Sequence, residues 1–329
     1  MELSNKKILV TGAGGFIGSH LCEYLHNKCV HLRALLHYNS RLEPGLLKAL
    51  PQNVTRRIEV IFGDLKDSNT IRNCIKDIDI IFHLGALVSI PYSYLHPRDV
   101  IETNTLGTLN ILEAAKERDI EKTIIISTSE VYGSALYTPI DEKHPLQAQS
   151  PYSASKIAAE KIAESFFRSY GLGISIVRLF NCFGPRQSGR AIIPTVISQA
   201  LISNKIKVGS LSPRRDFTYV KDSVRGVVEV SKSDSARGEI INIGSGFSIS
   251  VSQIIDKVSH ILGKELTVIS EEKRKRPKNS EVKELLADYS KAKGLIGWRP
   301  KITFDSGLRK TISWMRKYPN FYSPKKYNF

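Results

Sequence analysis

The feature that most limits the fold is the alternation of short apolar runs with amphipathic stretches through the first half of the chain. The amphipathic stretches include residues 17–25 and 100–117. Short buried strands joined by helical crossovers form parallel sheets that are covered on both faces. The pattern therefore predicts an α/β doubly wound sheet of the dinucleotide-binding (Rossmann) type. The predicted strands are Ile8–Thr11, Leu32–Leu36, Glu59–Phe62, Ile78–Phe82, Thr123–Ser127 and Ile174–Arg178.

The regular alternation fades after about Asn181, where proline and glycine punctuate shorter elements. A chain of 329 residues is long enough for one large α/β unit and a smaller appended lobe. We expect a dinucleotide-binding domain over residues 1–180. Residues 181–329 are expected to form a smaller C-terminal substrate-binding lobe that is partly interleaved with the first domain.

Charge and composition limit the partners of the chain. Its formal net charge is +16, which suits either nucleic acid or a small dianionic substrate. Apart from residues 273–276 and 325–326, the basic residues are dispersed. No nucleic-acid-binding module accompanies them, so the small substrate is favoured. The cysteines and histidines show no metal-ligand spacing, and no metal site is expected. No apolar run is long enough to cross a bilayer, and the first strand begins almost at once, so a cytoplasmic protein without membrane contact is expected.

Three glycines follow the first predicted strand. Gly12, Gly15 and Gly18 stand in the order G-x-x-G-x-x-G and lead into a predicted helix. Without Cβ atoms the backbone can turn sharply and approach a pyrophosphate closely. The next helix presents free N–H groups and its positive end to the phosphates. Spaced glycines alone are a weak signal, but their place between strand and helix predicts a dinucleotide site.

The end of the second predicted strand bears on the choice of cofactor. An acidic residue there binds the ribose 2′-hydroxyl of NAD. This chain has His37-Tyr38-Asn39-Ser40 instead, with Arg33 and Arg41 nearby, so the residues leave NAD and NADP open. Asp64 follows the third strand and is suited either to the adenine amino group or to capping the next helix.

Tyr152 and Lys156 form a Y-x-x-x-K pair on a predicted helix that Ser150 and Pro151 begin. Residues four apart share one helix face, so the phenol and the ammonium are neighbours. A nearby cation lowers a tyrosine pKa, which suits a base that takes a hydroxyl proton while hydride leaves the same carbon. The pair follows Ser127, Thr128, Ser129 and Glu130 at the end of a predicted parallel strand, where ligands bind.

Together these motifs resemble the extended short-chain dehydrogenase/reductases of nucleotide-sugar metabolism. The resemblance rests on T-G-x-x-G-x-I-G-S from Thr11, Thr128–Gly133, Tyr152–Lys156 and Arg178–Arg186. It implies an enzyme with the Rossmann fold, an NAD cofactor and a homodimer built on paired helices that include 100–117 and 153–170. The cofactor contacts that it implies are Gly12, Gly15, Phe16, Ile17, Gly18, Asp64, Leu65, Leu84, Ala86, Asn104, Ser127, Tyr152 and Lys156.

Glu130 indicates which reaction of this superfamily the chain catalyses. The 4-epimerases usually carry a small residue there, whereas Thr128-Ser129-Glu130 resembles the 4,6-dehydratases of the GDP-mannose type. Oxidation at C4 makes the C5 hydrogen acidic, and a carboxylate removes it before water leaves from C6. Other dehydratases have aspartate where Ser129 stands, as the acid for the leaving hydroxyl. Here either Glu130 makes both proton transfers or Ser129 relays a proton through water.

Further stretches resemble the NDP-N-acetylglucosamine 4,6-dehydratases of legionaminic-acid-type biosynthesis. They are residues 90–94, 139–147, 209–213 and 280–282. This resemblance implies UDP- or GDP-N-acetylglucosamine as the substrate. The implied substrate contacts, in which arginines pair with the diphosphate, are Ser89, Asn181, Arg186, Arg215 and Arg276.

Three alternatives stay open on the sequence. A UDP-glucuronate decarboxylase also carries Thr-Ser-Glu, and a sugar 4-epimerase shares Thr128, Tyr152 and Lys156. A non-catalytic sensor of NAD(P) is disfavoured by the complete set of Tyr152, Lys156 and Glu130.

Overall fold

The computed structural model describes residues 1–275, 277 and 280–322. The strands within these residues are β1 (Lys7–Thr11), β2 (His31–His37), β3 (Ile58–Gly63), β4 (Ile80–His83), β5 (Lys122–Thr128), β6 (Ile174–Leu179), β7 (Asn181–Phe183), β8 (Lys205–Val208), β9 (Arg214–Tyr219), β10 (Ile240–Ile243), β11 (Ser248–Ser250), β12 (Thr267–Ser270) and β13 (Glu284–Leu285).

The helices of the same residues are α1 (Phe16–Leu25), α2 (Gln52–Thr55), α3 (Ser68–Ile75), α4 (Ile90–Leu95), α5 (Pro97–Ile101), α6 (Gly107–Glu117), α7 (Pro151–Tyr170), α8 (Ile192–Ile202), α9 (Val220–Lys232), α10 (Val251–Leu262), α11 (Ser290–Ile296) and α12 (Phe304–Lys317). A wider π-helical turn, Glu102–Leu106, joins α5 to α6. No helix among the described residues is long and apolar enough to cross a membrane.

The central sheet has the order β10-β6-β5-β4-β1-β2-β3, and every pair in it is parallel. The predicted α/β doubly wound class is confirmed, and each of the six predicted strands overlaps one of the observed strands. The prediction lacked β10, which follows α9 and pairs with β6. The second half of the chain therefore supplies the last strand of this sheet.

Alternate residues of β1 show why the sheet needs helices on both faces. Ile8 and Val10 pack in one buried cluster with residues of α1 and α9. Leu9 points the other way and packs with Ile71 of α3 and Ile111 of α6. Successive strand side chains point to opposite faces, so a strand that is apolar at every position is buried on both sides.

Residues after β6 build smaller sheets beside this core. β9 pairs with β7, β11 and β13, and β8 pairs with β12. The helices α8, α10 and α12 pack against these strands and against one another. The division of the chain into two domains at residue 180 stays a prediction.

Candidate active site

A cavity of about 910 Å³ opens at the carboxyl ends of the central strands. The order of the sheet reverses between β1 and β4, because β2 lies on one side of β1 and β4 on the other. In open α/β sheets such a reversal leaves a crevice where ligands bind. The glycine loop lies at one end of the cavity lining, and the residues after β5 and at the start of α7 lie at the other.

The glycine loop is shaped by a close approach of two backbone segments. Gly12 has φ +66°, and a Cβ atom there would lie 2.8 Å from the Cα of Gly85. Gly15 precedes α1 in an extended conformation, and no side chain of the described residues caps that helix. The free N–H groups of the first turn of α1 are therefore available to an anion at the cavity wall.

Buried polar atoms in the lining fit a ligand rich in hydroxyl groups, because two of the three are amide oxygens that accept hydrogen bonds. Ser127 Oγ, Asn181 Oδ1 and Gln187 Oε1 are buried and have no hydrogen-bond partner within the described residues. All three residues line the cavity. Buried side-chain polar atoms are normally hydrogen-bonded, so these atoms point to a bound partner. The glycine loop, the open end of α1 and these atoms fit a dinucleotide together with a sugar.

Asp64 lies in the cavity lining after β3. Its Oδ1 accepts a hydrogen bond from the Lys66 backbone N–H at 2.9 Å. The N-cap of α3 is Asp67 instead, whose side chain accepts from the Asn69 N–H. The capping alternative considered for Asp64 therefore belongs to Asp67.

Tyr152 and Lys156 lie on the cavity side of α7. The helix begins at Pro151, and Ser150 and Ser153 form a reciprocal capping box that fixes its first turn. Tyr152 makes a hydrogen bond with Thr128 at the end of β5. Lys156 Nζ donates to the Ile126 carbonyl at 2.7 Å. The helix start and the strand end thus hold phenol, hydroxyl and ammonium in one wall of the cavity.

Burial controls the ionisation of this pair. It raises the pKa of Tyr152 above its usual range, which the hydrogen bond with Thr128 opposes and the charge of Glu130 reinforces. Burial lowers the pKa of Lys156 to about 8, against an opposing effect of Glu160. The expected lowering of the Tyr152 pKa is therefore wrong for the protein alone, since burial, the largest effect, outweighs the hydrogen bond with Thr128.

Glu130 follows Thr128 in a tight turn, Ser129–Tyr132, whose first residues line the same cavity. Thr128 Oγ1 accepts from the Glu130 backbone N–H at 3.2 Å. Glu130 is half-buried and Ser129 is buried. A carboxylate thus stands in the same cavity wall as the phenol of Tyr152, and each is a group that can act as a base.

The lining contains most of the residues that the sequence suggested. They are Gly12, Gly15, Phe16, Ile17, Gly18, Asp64, Leu65, Leu84, Ala86, Ser127, Thr128, Ser129, Glu130, Tyr152, Lys156 and Asn181.

Four suggested residues lie outside the lining. Asn104 Oδ1 accepts from the Leu87 N–H at 2.7 Å, and its Nδ2 donates to the Leu87 carbonyl and to Ser155. Ser89 caps α4. Arg186 is buried against Glu23 and His20 of α1.

Arg215, the fourth, is buried and donates to the Val282 carbonyl at 2.8 Å. The hydrogen bonds of Asn104 with Leu87 position the loop after β4, and Leu87 itself lines the cavity. Arg276 lies outside the described residues.

Several lining residues were missed. Asn39, Glu43 and Gly45 belong to the segment after β2 and line the cavity together with the glycine loop, and Gln187 follows β7. Dinucleotide-binding folds usually carry an acid at the end of β2, whereas Glu43 stands six residues beyond that strand. Only the path of the 38–45 segment, which spacing does not reveal, brings Glu43 to the cavity.

The sequence profile of the GDP-mannose 4,6-dehydratase family matches residues 9–311. The chain belongs to this family.

Two proteins that are similar to this chain have names that describe different reactions. The dTDP-D-glucose 4,6-dehydratase of Mus musculus is 32% identical over 97% of the chain and 91% of that protein. The putative UDP-glucose 4-epimerase of Methanocaldococcus jannaschii is 30% identical over 94% of the chain and 98% of that protein. The names of both relatives are those of enzymes that act on nucleotide sugars. Overall sequence similarity therefore does not decide between dehydration and epimerisation for this chain.

Solved structures share the fold of the family member over nearly its whole length. The UDP-glucuronic acid 4-epimerase of Bacillus cereus, in complex with UDP-glucuronic acid and NAD, has a TM-score of 0.87 and 31% identity, covering 95% of this chain and 99% of that one. The UDP-N-acetylglucosamine 4-epimerase of Methanobrevibacter ruminantium, in complex with UDP-N-acetylmuramic acid, has a TM-score of 0.85 and 31% identity, covering 96% and 99%.

Proposed function

We propose that this protein is an NAD-dependent nucleotide-sugar 4,6-dehydratase. It converts UDP- or GDP-N-acetylglucosamine to the 4-keto-6-deoxy sugar. The observation that carries this proposal is the presence of Glu130 in the same cavity wall as Thr128, Tyr152 and Lys156. An epimerase needs a base at C4 alone, whereas a dehydratase also needs one at C5.

The NAD assignment is supported by the glycine loop and by the related 4-epimerase that was solved with NAD. A bound NAD would supply the hydride acceptor for C4 and the hydride donor for C6, so that no cofactor would be consumed. Gly12 allows the close approach of backbone, the first turn of α1 offers N–H groups to the pyrophosphate, and Ser127 offers its hydroxyl.

Tyr152 takes the proton of the C4 hydroxyl. The hydrogen bond with Thr128 orients the phenol and favours the phenolate. Lys156, fixed by the Ile126 carbonyl, holds a cation beneath the site at pH values below about 8. A general base in reach of its proton contributes about 10²–10⁴-fold to a rate.

Glu130 acts after the oxidation. Its carboxylate takes the C5 proton, which the C4 ketone has made acidic, and the same proton then leaves with the C6 hydroxyl as water. Ser129 is buried beside it and is too weak an acid to protonate a leaving hydroxyl by itself. One carboxylate therefore serves as base and then as acid, so protons balance without a second acidic side chain.

The hexosamine part of the proposal rests on residues 90–94, 139–147 and 280–282, which resemble the N-acetylglucosamine 4,6-dehydratases. The related epimerase solved with an N-acetylated UDP-sugar supports it. Asn181 is the proposed contact to the diphosphate, to which its Nδ2 would donate. Its buried Oδ1, which has no partner in the described residues, is free to accept from a hydroxyl of the ligand.

A 4-epimerase is the second candidate, because a relative and two solved neighbours carry that name. Thr128, Tyr152 and Lys156 suffice for oxidation and re-reduction at C4. In that reaction Glu130 has no proton to move, so its replacement separates the candidates.

The mass of the product tests the proposal. The purified protein is incubated with UDP- and GDP-N-acetylglucosamine, UDP-glucose and UDP-glucuronate, and each product is weighed by mass spectrometry. A product one water lighter from an N-acetylglucosamine donor supports the dehydratase. An unchanged mass with inverted C4 establishes the epimerase, and loss of carbon dioxide from UDP-glucuronate establishes a decarboxylase.

A further inference from the structure

The segment after β2 places an acid, Glu43, in the part of the cavity lining that contains the glycine loop. The residue at the end of β2 is His37, not an acid. The chain then folds back, so that Asn39, Glu43 and Gly45 line the cavity together with Gly12, Gly14 and Gly15.

This segment is fixed at two points. Asn39 closes a ring with Glu43, since its Nδ2 donates to the Glu43 carbonyl at 3.1 Å and its Oδ1 accepts from the Glu43 N–H at 2.9 Å. The Leu46 N–H donates to the Gly14 carbonyl at 2.9 Å. A Cβ at Gly45, which has φ +58°, would lie 2.6 Å from that carbonyl oxygen. The path of the segment, and with it the place of Glu43, is therefore set by the glycine loop.

Glu43 also lies between two cations. Its Oε2 is 3.4 Å from Lys48 Nζ, and its Oε1 is 4.0 Å from an Arg41 guanidinium nitrogen. Both cations are exposed, and both contact the carboxylate of a residue that lines the cavity. A carboxylate at this position can accept hydrogen bonds from ribose hydroxyls, and its charge repels a phosphate. It also neutralises Arg41 and Lys48, which would otherwise attract a phosphate.

We propose that Glu43 is the specificity-determining residue for the cofactor, selecting NAD by binding the adenosine ribose and excluding the 2′-phosphate of NADP. It thus replaces the acid that other dinucleotide-binding folds carry at the end of β2. Without Glu43, Arg41 and Lys48 form a site for the 2′-phosphate. This inference rests on the NAD-binding part of the proposed function.

The test is the binding of NAD and NADP to the full-length protein after removal of bound nucleotide, measured by titration calorimetry. The wild type is expected to prefer NAD. Glu43→Gln keeps the size and polarity of the side chain but removes its charge. It is expected to bind NADP at least about tenfold more tightly and NAD more weakly, because a hydrogen bond to a charged group is lost and two cations are released.

Two further variants make the result specific. Glu43→Gln combined with Lys48→Ala is expected to lose most of the gained NADP affinity, since a cation that holds the phosphate is gone. Glu229→Gln removes an acid that pairs with Lys232 at 3.2 Å on α9, away from the cavity, and is expected to leave both affinities unchanged. The NADP gain of Glu43→Gln is also expected to fall as salt is added.

A wild type that prefers NADP, or a Glu43→Gln variant with an unchanged ratio of the two affinities, overturns the inference and leaves the role of Glu130 untouched. A wild type that binds neither nucleotide overturns the proposed function as well. The calorimetric measurement records nucleotide binding only, so its result does not depend on whether the protein is a dehydratase or an epimerase.

Discussion

Lys156 brings a positive charge to a place that water hardly reaches. Its side chain is buried in α7, and burial lowers its pKa from the usual 10.5 to about 8. Its ammonium donates a hydrogen bond to the backbone carbonyl of Ile126. Burial of this charged ammonium therefore lowers the stability of the folded protein. Side chains with strongly shifted pKa values are common at catalytic sites.

The first prediction concerns Lys156→Met, which removes this charge. Below pH 8 both folded and unfolded wild-type chains are protonated at Lys156, so the full desolvation cost is present. Between pH 8 and 10.5 the unfolded chain binds the extra proton, so wild-type stability rises with pH relative to the variant. The advantage of Lys156→Met in free energy of unfolding is expected to shrink across this window by on the order of 3 kcal/mol. Urea unfolding at pH 7 and at pH 10.5 measures it, and a difference independent of pH contradicts the account.

For individual residues, the sequence predicted which side chains lie close together but not the direction of their pKa shifts. The i, i+4 spacing was enough to place Tyr152 and Lys156 on one helix face. The direction of the Tyr152 pKa depends on how much water surrounds the phenol, and that follows from the packing of α4, α5 and α7 around it. Glu43 was missed for a related reason, because its place depends on a loop path.

Among the elements, the β1–α1 connection constrains the site most. Gly12 combines a positive φ with a close approach to Gly85, so an added Cβ meets both backbone strain and a clash. Gly263 at the end of α10 has nearly the same φ, +64°, but nothing lies within 4 Å of its Cβ position. The two glycines therefore separate strain from crowding.

The second prediction compares Gly12→Ala with Gly263→Ala. The Gly263 variant is expected to lose about 1 kcal/mol of stability, the usual cost of a left-handed alanine, with unchanged NAD binding. The Gly12 variant is expected to lose more stability and to bind NAD at least about tenfold more weakly, because the loop has to move away from the ligand. Thermal unfolding and calorimetry measure both effects. Equal losses in the two variants would show that crowding at Gly12 is unimportant.

Strand prediction succeeded where apolar runs were continuous and bounded by turns, as in β1 to β6. It missed β10 because Ile240–Ile243 is short and comes after the alternation has ended. The helix expected over 100–117 is present, but its turn at Glu102–Leu106 is wider than an α-helix. That turn carries Thr103 into the cavity lining and Asn104 onto the Leu87 loop, and no sequence period signals it.

For the whole molecule, exposed apolar side chains on the stretch from α4 to α7 form a surface on which a second chain could pack. Leu95, Ile101, Leu106 and Tyr170 are each about half exposed or more. The third prediction is a homodimer built on this surface, since two-fold closure is the commonest assembly. Leu106→Glu is expected to shift the protein toward monomer in sedimentation at micromolar concentration. Ile202→Glu, at an equally exposed apolar position on α8, is expected to leave the dimer intact. A monomeric wild type contradicts the prediction.

The central claim is that Tyr152 and Glu130 act in successive steps on one sugar. The most direct test follows Glu130→Gln and Tyr152→Phe with substrate in deuterated water, recording absorbance of reduced cofactor, deuterium at C5 and product mass. Glu130→Gln is expected to oxidise C4, to accumulate reduced cofactor and to incorporate no deuterium, with dehydration slowed about 10²–10⁴-fold. Tyr152→Phe is expected to fail at oxidation and so to show none of these signals. A Glu130→Gln variant that turns over at nearly the wild-type rate would contradict the account and leave 4-epimerisation as the reaction.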